Sequence, residues 1–182
     1  MPIIYRFFDL GNDWQTLHPE YGPIGAIHWV TWETVNPRPG VYDWSLVDRQ
    51  LDQGRSLKVT LPSGEVIPKP VVIQIIPYLS SAPGWDDLYF YDASPEWVYD
   101  AIDEENPDDP RPIVHDRKVG YLIEGCDTAA VLPMFDSETW REAYFDAVRA
   151  FGQRYGDDPQ VTAVVVSTGL DGETQLIKDW GC

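Results

Sequence analysis

The chain has 182 residues, enough for a domain with a real core, and 43% of them are hydrophobic and 13% aromatic, which excludes a disordered composition. Thirty acidic residues against thirteen basic ones leave a net charge of -17. That balance argues against nucleic acid or an anionic membrane surface as partner and leaves neutral sugars and polyols open.

No apolar run approaches the roughly 18 residues of a membrane span. The opening MPIIYRFF lacks the long apolar stretch and small-residue cleavage site of a secretory signal, which favours a cytoplasmic location. Cys126 and Cys182 are the only two cysteines and carry no metal-ligand spacing, so neither a disulfide framework nor a zinc site is indicated, and no cofactor is expected. The eight Trp and ten Tyr suit either core packing or stacking surfaces for the flat faces of sugar rings.

Ile3 to Phe8 reads as a first strand, and Gly25 to Thr31 as a second that delivers Trp32 and Glu33 to its C-terminal end. Pro37, Pro39 and Gly40 then mark a shaped loop. Ser45 with Asp48 has the spacing of an N-cap and its reciprocal acid, opening a helix through Leu46, Val47 and Leu51. Leu57 to Ile67 reads as a β-hairpin insertion around Pro62-Ser63-Gly64. Val71 to Pro77 is a buried-type strand ending at Tyr78. His28, in mid-strand, suits a hydrogen-bonded core position, while His18 and His115 are isolated in loops and suggest no metal.

From Leu79 to Pro133 the periodicity fails. So long a connection predicts a functional or partly ordered excursion, with the acidic run from Asp103 to Pro110 as a solvated loop whose spacing fits no calcium-binding pattern. Asp136 or Ser137 caps the clearest helix, whose Trp140, Tyr144, Ala147, Val148, Phe151 and Tyr155 fall on one face. Gly156 ends it, and 161–168 follows as a strand whose short apolar, β-branched run from Val161 to Val166 is of the type buried on both faces. Gly169-Leu170-Asp171-Gly172-Glu173 lies just past this strand. A carboxylate there, between flexible glycines, is either a catalytic group or a solvated turn residue. Strands alternating with helices predict a parallel α/β sheet.

The segment Trp29 to Asp52, WVTWETVNPRPGVYDWSLVDRQLD, resembles the W-x-x-x-E-P-x-x-G-x-Y-D-(F/W)-S signature that follows the second strand in clan A glycoside hydrolases, the β-galactosidase-like families such as glycoside hydrolase family 42. Asn36 stands where those proteins usually have Glu. The later segment from Pro133 to Glu173 resembles their third helix and fourth strand, so the two segments cover about a third of the chain in the right order. The resemblance implies a (β/α)8 barrel. The four strands expected here would form its N-terminal half, a partial barrel of about four parallel strands with helices outside and a hairpin insertion. A full barrel usually takes about 250 residues.

The resemblance also implies a function. Glu173 matches the general acid/base of the family, and a carbohydrate is the implied substrate, with no cofactor. In a retaining mechanism Glu173 would be held protonated by partial burial and by a neighbouring nucleophile, would protonate the departing oxygen, and would then activate water. The nucleophile, roughly 5 Å away, would come from the seventh strand, so the isolated chain is expected to be inactive. Gly172 stands where the family has Asn, whose amide holds the neighbouring sugar hydroxyl; either Asp171 replaces it or this branch does something else. Trp32, Tyr78 and Trp85 are candidates for a sugar platform or for the core. Glu33 suits a sugar hydroxyl or an ion pair with Arg38. Three readings follow: a glycoside hydrolase domain, a carbohydrate-binding relative without catalysis, or another α/β protein in which Glu173 is incidental. The open edges of a half barrel predict self-association.

Overall fold

The computed structural model describes residues 4–7, 24–81, 88–105, 108, 118–121, 133, 135 and 137–166. The chain is mixed α/β, with a parallel sheet and flanking helices, and it divides into two compact units. The first comprises Met1–Val30, Trp44–Gln74 and Phe151–Val165; the second comprises Thr31–Asp43, Ile75–Ala150 and Val166–Cys182.

Four strands, β1 (Ile4–Phe7), β2 (Ile24–Thr31), β5 (Val71–Ile76) and β9 (Val161–Val166), form one sheet in the order β1-β2-β5-β9. Between β2 and β5 the chain forms α1 (Trp32–Val35), α2 (Ser45–Ser56) and the antiparallel pair β3 (Lys58–Thr60) and β4 (Val66–Pro68), which is the expected hairpin. β1 and β2 pair in parallel, Ile4 opposite Ile24. The Ala26 N–H donates to Pro70 O at 2.9 Å and the Val71 N–H to Gln160 O at 2.8 Å. These bonds join the beginnings of β2, β5 and β9, as parallel neighbours require. The strands expected from the sequence therefore stand side by side in chain order. The described sheet is open, and no barrel closes.

All six residues of β5 are buried, Val71–Gln74 in the first unit and Ile75 and Ile76 in the second, as a continuous apolar run predicts. Ile24, Ala26 and Val30 of β2, Val47 and Leu51 of α2, and Val59 of β3 are buried in the first unit. Trp44 lies edge-on to Phe151 at 5.8 Å and to Tyr155 at 6.0 Å. The expectation of a doubly buried last strand fails. β9 is half-buried to exposed throughout, with Val165 36% and Val166 41% exposed. Composition made the run a strand, but cover depends on neighbours, and β9 is the last strand of the described sheet.

The cap of α2 also differs from expectation. Trp44 is the N-cap residue, with no side-chain cap bond, and Ser45 is already inside the helix. The Asp48 carboxylate accepts instead from the Tyr155 hydroxyl at 2.6 Å and from Arg154 Nη2 at 2.8 Å. Two partners distant in sequence replace the single reciprocal backbone bond of a capping box.

The 79–133 excursion falls within the second unit, and most of its described residues form strands and a helix. β6 (Tyr78–Ser81), β7 (Leu88–Asp92) and β8 (Lys118–Tyr121) form an antiparallel sheet in that order. Between β7 and β8 lies α3 (Glu96–Glu105), so Asp103, Glu104 and Glu105 end a helix rather than begin a loop. Their side chains are exposed, as a solvated run requires. The last helix, α4 (Glu138–Tyr155), begins where Ser137 Oγ accepts the Trp140 N–H at 3.2 Å, so Ser137 is its cap. Within this unit α4 buries Trp140, Tyr144 and Ala147. Among the described residues, no helix is long and apolar enough to cross a membrane.

Candidate functional site

The residues singled out from the sequence divide three ways. Trp85, Asp171 and Glu173, with Gly172, His18, His115 and both cysteines, lie outside the described residues. Trp32 and Tyr78 are described and are 0% exposed. Trp32 meets Trp140 edge-on at 5.2 Å and Tyr144 at 5.1 Å. A sugar platform needs an exposed ring face, and neither residue presents one; both rings belong to the core of the second unit. Their position after a strand was legible, but the rings that cover Trp32 come from a helix more than a hundred residues away. Glu33 is half-buried on α1, its backbone N–H bonded to Ala93 O at 2.8 Å.

The signature loop after β2 folds as one tightly tied turn. Asn36, 1% exposed, accepts the Trp32 indole N–H on Oδ1 at 3.1 Å and donates from Nδ2 to Arg38 O at 2.9 Å and Val41 O at 3.0 Å. The Val41 N–H returns to Arg38 O at 3.0 Å, with Pro39 and Gly40 between them. Gly40 has a φ of +66°, so Pro followed by a left-handed Gly gives the pattern of a type II turn. The Asp43 N–H then closes the loop on Val35 O at 2.9 Å. The position suits an amide for a definite reason: it uses two donors as well as an acceptor, and a carboxylate has no donor when ionised.

The tied turn forms one wall of a cleft of about 530 Å³ that lies within the second unit. Tyr42 from the turn and Trp97 from the first turn of α3 supply its aromatic surface. The Trp97 indole N–H donates to the Asn36 backbone carbonyl at 3.0 Å, which fixes that ring against the turn. The remaining polar wall is acidic: Glu105 from the end of α3, and Glu138, Glu142 and Asp146 from α4. The last three recur at intervals of four and so form one stripe on α4. Thr139 donates its hydroxyl to Glu105. Just beyond the lining, Arg149 reaches Glu142 at 3.4 Å and also pairs with Asp146.

The electrostatics of the cleft are visible at Tyr42. Its hydroxyl is pushed above its ordinary pKa by burial and then by the negative charge of Asp146, with Arg149 partly opposing. Among the described residues, the lining contains no Lys, Arg or His. Nor do the described residues contain a group of three or more carboxylate, imidazole or thiolate side chains placed to hold a metal ion.

Sequence reasoning missed this cleft. The spacing of Glu138, Glu142 and Asp146 opposite the apolar face of α4 was readable, and Ser94-Pro95-Glu96 is a helix-start pattern that could have located α3. The approach of the turn to these helices has no signal in sequence. A scan against protein-family models finds no match to this chain, and a search of curated proteins finds no similar one.

Proposed function

We propose that the chain is a glycoside hydrolase-like domain that hydrolyses an O-glycosyl bond by a two-carboxylate retaining mechanism within a completed barrel. The observation that supports the reading is the strand order β1-β2-β5-β9 with the signature loop folded as a single tied unit directly after β2. In this reading Glu173, seven residues beyond the end of β9, donates a proton to the leaving oxygen and then takes one from water. Parallel strands put their C-terminal ends on one edge of a sheet, which is where the reaction would occur. The resemblance assigns the nucleophile to a seventh strand, so the isolated 182 residues are expected to show no turnover.

Aryl β-glycosides test the assignment in a protein that carries the whole barrel. Glu173→Gln should lower the rate by roughly 10²–10⁴-fold on substrates with poor leaving groups, which need the proton. The loss should be much smaller for glycosylation by dinitrophenyl glycosides, and azide should then yield a glycosyl azide. Equal losses on both, with no azide product, would remove Glu173 from the acid/base role. Carbohydrate binding without hydrolysis is the second reading, favoured by Gly172 in place of the amide-bearing Asn.

A further inference from the structure

We draw no further inference here: the strongest candidate, the acidic cleft between the tied turn, α3 and α4, is lined by exposed carboxylates of which Glu105, Glu142 and Asp146 are already paired with Thr139 or Arg149, and among the described residues no second feature points to a ligand there.

Discussion

The Tyr5 hydroxyl donates to Thr162 Oγ1 at 2.6 Å, joining β1 to β9 although they stand at opposite ends of the sheet order. Thr162 passes the bond on to Val71 O at 3.2 Å. The crossing is possible because Gly25 lies beneath it. A Cβ at that position would stand 2.5 Å from two atoms of the Tyr5 ring and 3.0 Å from the Pro70 carbonyl oxygen. Glycine is required there by close approach rather than by backbone angle.

Gly25→Ala should therefore destabilise the chain by about 1–3 kcal/mol, the usual range for overpacking. Chemical denaturation measures it. Combining the change with Tyr5→Ala should cost less than the sum of the single changes, because the ring is the main obstruction. Strict additivity would mean that the ring does not lie over Gly25.

Asn36 gives a second prediction. Asn36→Ala removes the acceptor of a buried indole N–H and two donors, and should cost about 2–4 kcal/mol. Asn36→Asp keeps the shape but turns carboxylate oxygen toward the carbonyls of Arg38 and Val41. Burial and those oxygens hold the new carboxyl above its ordinary pKa of about 3.9. A raised folded pKa contributes stability that is complete below the unfolded value and lost as pH rises. The penalty of Asn36→Asp relative to the parent chain should thus be smallest near pH 4 and grow toward pH 7. Unfolding midpoints of both proteins across that range check it. A pH-independent difference would place the side chain in water.

Much of this architecture was legible in the sequence, and what was not has physical reasons. VVIQII announces a buried central strand because every position is apolar or tolerates burial, and the structure buries all six. VTAVVV announces a strand equally well, yet its cover depends on the next element in space. The helix from Glu138 was plain from its stripe and from Ser137. α3 was hidden because its acidic C-terminal turn runs straight into Asn106-Pro107-Asp108-Asp109-Pro110, and composition averages the two. Asp48 was read through its nearest neighbours, when Tyr155 and Arg154 claim it from 107 and 106 residues away. The candidate site suffered most, since a cleft is a juxtaposition and periodicity describes one element at a time.

The Asp48–Tyr155 bond carries a third prediction. Burial and the Asp48 carboxylate both push the Tyr155 hydroxyl well above its ordinary value, with the Arg154 guanidinium opposing. The neutral phenol is thus favoured in the folded chain. Its contribution is fully present below the unfolded pKa of about 10 and is lost as pH rises above that. Tyr155→Phe should cost about 1–2 kcal/mol at pH 7, the range for a bond to a charged group discounted for the half-exposed Asp48. The difference between parent and variant should shrink above about pH 10. Denaturation at pH 7 and at pH 10.5 or higher separates this from a packing effect, which would not change with pH.

The last prediction concerns β9, which ends the order of the described sheet. β9 carries no charge and no proline, and Thr162, Ala163, Val165 and Val166 are all exposed. Natural edge strands are usually protected by charge, bulges or proline, because unpaired backbone groups recruit other strands. A net charge of -17 opposes association over long range, but added salt screens it within about 10 Å at 0.1 M. We therefore expect the chain to self-associate, and to do so more strongly as salt rises. That trend is opposite to an interface held by ion pairs. Ala163→Lys, at an exposed position on the strand, should shift the population toward monomer without lowering the unfolding midpoint of the monomer by more than about 0.5 kcal/mol. Sedimentation velocity at increasing protein and salt concentration measures both effects. A monomer whose sedimentation is unaffected by concentration, salt and Ala163→Lys would show that this edge is not sticky in solution.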